Sequence, residues 1–425
     1  MQLVDRKKVI TMVRRALNLV DRRLVDHGMK VALVLSDMMM AEGRLDHDTM
    51  RKLRLLALFH DIGAYRSEDI DKLLQFETQN IWAHAIYSYL FLRDFFPDDL
   101  ARIVLYHHAN YDVPWEDDSD ILHYGQMLHI ADRVCVWHDE YTESKEVMAD
   151  HFEKLRGTVF SPECIDLFWE ADRRYETWEE LNAEDIFDRF PKQEALPKSE
   201  AETYLYILVN AIDFRSRTTV IHTRGVMEIG LELAKLMDMP EKTQRKIYYG
   251  ALMHDLGKIG TPVSILEKPG RLTPEEMEIM RQHVLLCSEI IGGCADEETV
   301  QIALRHHEKL NGQGYPFGLT EKELTMPERL MAVADIASAL CMARSYKEAY
   351  DKERSLGIIR DMAETGQLDR SIVQVLDDNF DMILQKAAQR VAPIQEQFDQ
   401  IQIEFKKIMQ YCSERSNMTI SNCVR

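Results

Sequence analysis

The sequence has no long apolar run, no paired cysteines and no signal for export. The longest apolar stretches, such as VALVLSDMMM at residues 31–40, are interrupted and too short to cross a bilayer. The first residues, MQLVDRKKVI, lack an apolar core with a small-residue cleavage site. The seven cysteines are scattered singly, without a C-x-x-C pair, which is typical of a reducing compartment. We therefore expect a cytoplasmic protein without a membrane segment.

The chain also lacks a net positive charge. The formal net charge is −20, which argues against binding to nucleic-acid polymers or to anionic membranes. An acidic protein can still act on a phosphate compound, but only if cations at its site reverse the local field. Any such substrate therefore requires a site that supplies its own cations.

The sequence also lacks convincing strand patterns. Apolar residues do not alternate with polar ones over useful lengths, and instead they recur at helical spacing. Leu53, Leu56 and Phe59, which precede His60, are an example. The predicted fold class is all-α.

The chain of 425 residues is long enough for two or three domains. FPKQEALPKSE, at residues 190–200, combines two prolines with mixed charge and little apolar periodicity, as expected of a linker. We predict a first domain over 1–190, a linker over 191–200, a second domain over 201–390 and a helical tail over 391–425. The mixed charge of the tail favours a solvated helix or a contact between two copies, as in a homodimer.

The two halves repeat the same seven residue types in the same order. The first half contains His27, His60, Asp61, His84, His107, His108 and Asp132. The second half contains His222, His254, Asp255, His283, His306, His307 and Asp335. Four successive intervals separate the first His, the His-Asp pair, the third His, the His-His pair and the last Asp. They are 33, 24, 23 and 24 residues in the first half, and 32, 29, 23 and 28 residues in the second half. The agreement indicates a duplicated unit.

These residue types suggest a metal site. A lone histidine on a helix is usually a surface or core residue, but an ordered and repeated set of five His and two Asp favours metal ligands. Imidazole and carboxylate together suit first-row divalent ions, and the lack of cysteine ligands favours iron or manganese over structural zinc. Seven ligands are too many for one ion, so we predict two ions. An aspartate next to a histidine, as in His254-Asp255, can bridge them. Two such ions can activate a hydroxide and clamp a phosphate ester.

Three segments of the second half carry a resemblance to a known family. MHDLGK (253–258), HHEKLNGQGYPFGL (306–319) and ADIASALCMARSY (334–346) resemble the HD-GYP subgroup of the HD metal-dependent phosphohydrolases. The resemblance covers roughly residues 209–380. The first half resembles the general HD superfamily and lacks the GYP segment.

The resemblance implies two tandem helical HD-type domains and a phosphodiesterase that converts cyclic di-GMP to pGpG and/or GMP through a hydroxide activated by two metal ions. The implied ligands of one ion are His222, His254, Asp255 and Asp335. The implied ligands of the other ion are Asp255, His283, His306 and His307. Lys258 would contact the scissile phosphate beside the catalytic Asp255. The implied substrate-binding residues are Lys258, Gly314, Tyr315, Arg344 and Lys347.

The chain departs from the family pattern at several positions. Thr218 stands where some members have a glutamate that binds a third ion, which favours a two-metal site. Ser338 stands where the family usually has a second aspartate, and we expect a weakened contact behind the ligands. In the first half, Ala64 matches Lys258 and ANYDVPW replaces the GYP loop. The seven residues of the first half predict a second metal site. The alternative is a degenerate duplicate that is kept for packing, regulation or dimerisation.

Other functions remain open at the level of sequence. The second domain could be a receptor that binds a cyclic dinucleotide, or a partner protein, without hydrolysing it. It could also hydrolyse another substrate, such as cyclic GMP-AMP or a mononucleotide, because purine choice depends on pocket contacts. The complete ligand set favours hydrolysis over pure binding.

Overall fold

A computed structural model describes residues 4, 8–19, 22–66, 81–140, 145–182, 203–210, 217–268, 270–342 and 350–423. Throughout these ranges the regular structure is helical, and β pairing is confined to three isolated bridges. The prediction of an all-α fold is confirmed. No helix in this part of the chain is both long enough and apolar enough to span a membrane.

The helices are numbered in chain order. They are α1 (Val9–Asn18), α2 (Arg22–Glu42), α3 (His47–Leu58), α4 (Ile81–Leu92), α5 (Asp98–Leu105), α6 (Ser119–Glu140), α7 (Lys145–Leu155), α8 (Pro162–Tyr175), α9 (Thr177–Glu180), α10 (residues 203–210), α11 (Arg217–Leu236), α12 (Glu241–Met253), α13 (Val263–Leu266), α14 (Pro274–Arg281), α15 (His283–Ile291), α16 (Glu297–Leu304), α17 (Met326–Cys341), α18 (Lys352–Glu364), α19 (Arg370–Asp378) and α20 (Phe380–Cys423). Two 3-10 segments, Ile62–Arg66 and Leu256–Gly260, follow the two His-Asp pairs.

The chain forms two compact units. The first unit comprises Asp21–Glu194 with Ile401–Arg425, and the second comprises Ala195–Gln400 with Met1–Val20. Each terminal segment thus belongs to the unit built from the opposite half of the sequence. The domain boundaries drawn from the repeat differ from these units at both termini, because the repeat does not extend into the terminal helices.

Of two further predicted boundaries, only the start of the tail can be compared with the structure. The predicted linker, 191–200, lies outside the described residues. The predicted start of the tail at 391 falls inside the continuous helix α20. The mixed charge of the tail therefore marks a change in composition along one helix, and no new helix starts there.

Helix starts near the site follow ordinary capping chemistry. Thr273 and Thr325 each form a capping box with the glutamate three residues later, at the starts of α14 and α17. A proline in the first turn of both helices supplies a suitable φ where no intrahelical donor is needed. These caps fix the starts of the helices that contain Arg281 and Asp335.

Helix α1 packs within the second unit. It buries Val9, Met12, Val13 and Ala16, which lie on one face at helical spacing. The Nη1 group of Arg15 donates hydrogen bonds to backbone carbonyls at the end of α15, at 2.8 Å from that of Gly292 and 3.2 Å from that of Glu289. A cation at this end satisfies orphan carbonyls and complements the helix dipole. Because α15 begins at His283, α1 braces a helix that carries a predicted ligand.

Candidate metal centre

The His-Asp pair of the second unit lies where one helix ends and another begins. Helix α12 ends at Met253, His254 caps it, and Asp255 opens the following 3-10 segment. A Cβ atom added to Gly257 would lie 1.8 Å from the carbonyl oxygen of His283, so only glycine permits this segment to approach α15. The turn therefore places the His-Asp pair beside the third histidine.

The two oxygens of Asp255 face different histidine groups. Its Oδ2 atom lies 3.1 Å from Nε2 of His254 and 3.8 Å from Nε2 of His222. Its Oδ1 atom lies 3.6 Å from Nε2 of His283. This is the arrangement expected of a carboxylate between two ions.

The remaining ligand candidates complete the two groups. Asp335 Oδ1 lies 3.0 Å from Nε2 of His222, and Asp335 Oδ2 lies 3.4 Å from Nδ1 of His307. The Nε2 atoms of His283 and His306 are 3.4 Å apart. All seven predicted residues of the second half are therefore brought together, and six of them are almost fully buried while His307 is partly exposed.

Three of the rings are oriented by the backbone. His254, His283 and His306 each place Nδ1 within 2.7 Å of the carbonyl oxygen three residues earlier. An Nδ1–H that donates to this carbonyl leaves the Nε2 lone pair free, as in a metal-ligating histidine. Burial lowers the pKa of His283 to about 3 and that of His306 well below its usual value, so both rings are neutral.

The donor set fits a divalent metal pair. Nε2 of His254 and Oδ1 of Asp255 are buried and have no hydrogen-bond partner among the described residues. Buried polar atoms are normally paired, and a bound cation would satisfy both. Imidazole nitrogen with carboxylate oxygen is the ligand chemistry of first-row divalent ions.

Lys258 contacts the centre through Asp255. Its Nζ atom lies 2.6 Å from Oδ2 of Asp255. Although burial by itself raises the pKa of Asp255, the charges of His254 and Lys258 outweigh it and hold that pKa well below the usual range. The carboxylate is therefore ionised and available as a ligand.

The loop after the His-His pair folds back onto the site. Buried Glu308 accepts hydrogen bonds from the backbone N–H groups of Phe317 and Leu319, at 2.7 and 2.8 Å. Tyr315 places its ring over His307, with 4.6 Å between ring centroids. Gly314 packs against the backbone of Glu308, where a Cβ atom would lie 2.4 Å from Cα. The loop therefore places Tyr315 at the edge of the centre, while the close approach at Gly314 is to the protein's own chain.

The structure also adds a residue that the motif comparison missed. The guanidinium carbon of Arg281 lies 5.1 Å from the centroid of the Tyr315 ring, within the range of a cation–π contact. Arg281 is exposed and ends α14, two residues before His283. Its proximity in sequence to a predicted ligand was a signal, but its side-chain direction depends on the turn between α14 and α15.

Four other residues were singled out in the sequence, and only the side chain of Ser338 can be placed. Arg344 and Lys347 lie outside the described residues, as does the side chain of Thr218. Ser338 retains a contact behind the ligands: Nδ1 of His222 lies 3.1 Å from Oγ of Ser338, whose hydroxyl donates to the carbonyl of His222 at 3.1 Å. The hydroxyl thus holds the ring whose Nε2 faces Asp335.

The first unit gathers its own seven residues in the same way. His27, His60 and Asp132 form one group, and Asp61, His84, His107 and His108 form the other. Oδ2 of Asp61 lies 3.4 Å from Nε2 of His60, and Oδ1 lies 3.6 Å from Nε2 of His84. Nε2 of His60 and Oδ1 of Asp61 are buried without a hydrogen-bond partner in the described chain. The arrangement around the second His-Asp pair is therefore repeated here.

The surroundings of this first-unit cluster differ. Arg133 donates to Oδ2 of Asp132, at 2.9 Å from Nε and 2.5 Å from Nη2, so the cation stands at the last aspartate. In the second unit the positively charged side chain is Lys258, and it contacts Asp255, the aspartate of the His-Asp pair. Trp115 of the replacement loop packs near Tyr106 and donates its indole N–H to the carbonyl of Asn110 at 3.0 Å. The first unit thus keeps the ligands and changes what surrounds them.

Two family models match the chain, and both are described as an HD domain. They cover residues 24–137 and residues 207–372. Each segment contains one of the two ligand sets. The protein therefore has two HD domains.

Curated relatives match either most of this chain or about two fifths of it. The 3'3'-cGAMP-specific phosphodiesterase 1 of Vibrio cholerae is 25% identical over 88% of this chain and 92% of its own length. RpfG of Xanthomonas campestris, a cyclic di-GMP phosphodiesterase response regulator, is 37% identical over 40% of this chain and 45% of its own length. The cyclic di-GMP phosphodiesterase of Thermotoga maritima is 36% identical over 39% of this chain and 47% of its own length. The match thus spans less than half of each of the latter two.

A solved structure has the same fold. The cyclic GMP-AMP specific phosphodiesterase V-cGAP3 of Vibrio cholerae aligns with a TM-score of 0.53 at 17% identity, covering 90% of this chain and 98% of that chain. The two HD-domain matches and the curated relatives place the protein among the HD-domain phosphodiesterases homologous to the HD-GYP enzymes.

Proposed function

We propose that the second unit hydrolyses cyclic di-GMP to pGpG and/or GMP at a two-metal centre. The observation that carries the proposal is Asp255, whose two oxygens face the His222–His254 group and the His283 group. The ions would be held by the seven second-half residues, with Asp255 between them. When bound, they supply an activated nucleophile and neutralise charge on the phosphate.

The protein's own side chains would orient the substrate. Lys258 lies beside Asp255 and carries a charge that suits a phosphate oxygen. Tyr315 has His307 and Arg281 against its ring, and the edge of this ring can contact a purine. Arg281 stands over that ring and can form a bidentate pair with the O6 and N7 acceptors of guanine. Arg344 and Lys347 remain proposed substrate contacts.

One other compound is a specific candidate for the substrate. The Vibrio cholerae relative that matches 92% of its own length, across both domains, is specific for 3'3'-cGAMP. The cyclic di-GMP relatives are more identical but match only about two fifths of this chain. We therefore retain 3'3'-cGAMP as the second candidate, because both compounds contain guanine.

The deciding experiment is hydrolysis of a panel of cyclic dinucleotides. The protein would be purified without oxygen, its metal content measured, and kcat/KM determined for cyclic di-GMP, 3'3'-cGAMP and cyclic di-AMP. A higher kcat/KM for cyclic di-GMP supports the proposal, and a higher value for 3'3'-cGAMP selects the second candidate. Binding without product in metal-replete buffer would replace both with a receptor.

Replacement of Arg281 by alanine is expected to raise KM for cyclic di-GMP about tenfold and leave kcat within about twofold, because the guanidinium contacts the base and not the reacting phosphate. Lysine keeps the charge but not the bidentate fork, so Arg281→Lys should restore little. Steady-state kinetics would measure both parameters. An unchanged KM in Arg281→Ala would remove this residue from the binding site.

We also propose that the first unit holds metal ions without turning over substrate. It keeps the full ligand set and the orphan atoms of His60 and Asp61, but Ala64 replaces the lysine. Combined substitution of His60 and Asp61 by alanine should lower the metal content of the purified protein by about two ions and leave hydrolysis nearly unchanged. Elemental analysis provides the readout. An unchanged metal content would favour the degenerate-duplicate alternative.

A further inference from the structure

A cavity of about 570 Å³ lies in the first unit, apart from the metal-ligand cluster. Its walls come from α2, α3, and the end of α8 with the residue that follows it. Ser36 and Asp37 line it from α2, and His27 lies nine residues before Ser36 on the same helix. The lining begins at Ala32, five residues or about 7.5 Å along the helix from His27, and includes none of the seven ligand candidates of the first unit. The cavity is therefore lined by residues other than those of the cluster.

Positive charge exceeds negative charge among the lining residues. Arg54, Arg173 and Arg174 contribute three guanidinium groups, against the carboxylates of Asp37 and Glu176. Oδ2 of Asp37 is already engaged by the hydroxyl of Thr177, which donates to it at 2.8 Å. Because Arg174 is paired with Glu170, the attraction of the cavity for an anionic ligand rests on Arg54 and Arg173.

The three arginines differ in their own partners. Arg174 pairs with Glu170 and donates to the carbonyl of Ala41 at 3.3 Å. Arg54 donates from Nη2 to the hydroxyl oxygen of Ser36 at 2.9 Å. Arg173 forms no hydrogen bond or ion pair with any residue that the structure describes, and its side chain is exposed. It is therefore free to bind a ligand at the mouth of the cavity.

The rim is held in an uncommon backbone conformation. Glu176 has φ 54°, in the left-handed region that a non-glycine residue rarely adopts. Asp172 fixes the turn: its carbonyl accepts from the N–H of Glu176 at 2.9 Å, and its Oδ1 accepts from the N–H of Trp178 at 2.9 Å. Glu176 is the C-cap of α8, and a left-handed residue at this position ends the helix and turns the chain into α9.

Apolar side chains line the same cavity beside the charged ones. Leu33, Met40 and Tyr175 line it, and the cavity volume is within the range of sites for small organic ligands. A ligand that fits this lining carries an anionic group together with an apolar or aromatic body.

We propose that the first unit binds a small organic phosphate in this cavity. Arg173 and Arg54 would hold the phosphate, since a guanidinium forms paired hydrogen bonds with its oxygens. Met40 and Tyr175 would contact the organic part. This site does not depend on the metal centre of either unit.

The test is calorimetric titration of the metal-free, full-length protein in EDTA with three probes. Guanosine 5′-monophosphate is expected to bind, inorganic phosphate to bind more weakly, and citrate to show whether a carboxylate serves equally well. The chelator suppresses phosphate binding at metal ions, so the result is separate from the proposed hydrolysis. Arg173→Ala should weaken binding of guanosine 5′-monophosphate at least about tenfold, as expected for loss of a charged hydrogen-bond pair.

A matched control is Lys154→Ala, which removes one exposed positive charge from α7 of the same unit. It should leave binding of guanosine 5′-monophosphate unchanged. Equal weakening by the two substitutions, or no binding in the unaltered protein, would overturn the proposal. Equal affinities for inorganic phosphate and guanosine 5′-monophosphate would overturn the role of the apolar lining residues. Tighter binding of citrate would overturn the proposal that the ligand is a phosphate.

Discussion

Replacing Asp255 with asparagine is expected to abolish hydrolysis, with a fall in kcat on the order of 10³-fold or more. The carboxylate faces one histidine group at 3.1 Å, from His254, and another at 3.6 Å, from His283. Asparagine keeps the shape of this side chain but has no negative charge and presents an NH₂ group to one side. Both ions would lose a shared anionic ligand at once. Steady-state hydrolysis, together with metal analysis of the purified variant, would measure the effect.

The matched control is Asp61→Asn, which makes the same change at the equivalent position of the first unit. Because Ala64 stands there in place of a lysine, we expect this variant to lose metal and keep hydrolysis. Circular dichroism would establish that both variants remain helical. Hydrolysis that survives in Asp255→Asn but fails in Asp61→Asn would move the active site to the first unit, and survival in both would refute the two-metal mechanism.

The ligand sets could be predicted because the chemistry fixes their positions on helices. A histidine that places Nδ1 near the carbonyl three residues earlier, as His254 and His306 do, must lie at a helix end with its Nε2 pointing inward. The intervals between ligands are then set by the helices between them. A duplicated unit preserves those intervals, and the comparison of two halves makes them visible in one sequence.

Contacts between distant segments could not be predicted in this way. Gly257 and Gly63 occupy the same place in the two His-Asp motifs, and both sit against the helix of the third histidine. A sequence shows that glycine is present, but the neighbour that excludes a Cβ atom appears only once the helices are packed. Arg281 is similar, because its contact with Tyr315 requires the loop after the His-His pair to fold back.

Helix α1 is the largest departure from the predicted organisation, and it gives the second strong prediction. Met12 is fully buried in the second unit, and α1 packs against α15 and the 3-10 segment that includes Lys258. Met12→Asp would place a carboxylate in this apolar contact, at a cost of about 4 kcal/mol. For a unit of this size that corresponds to a fall in melting temperature of roughly 10 °C. Hydrolysis should be lost at temperatures where the first unit is still folded.

Thr11→Asp is the matched control, because it introduces the same charge at a partly exposed position near the start of the same helix. A negative charge there complements the helix dipole, so stability should change by less than about 1 kcal/mol. Differential scanning calorimetry would assign the transitions, with hydrolysis reporting on the second unit. If α1 instead belonged with the rest of the first half, Met12→Asp would lower the transition of the first unit and leave hydrolysis intact. The experiment therefore decides which unit the first helix stabilises.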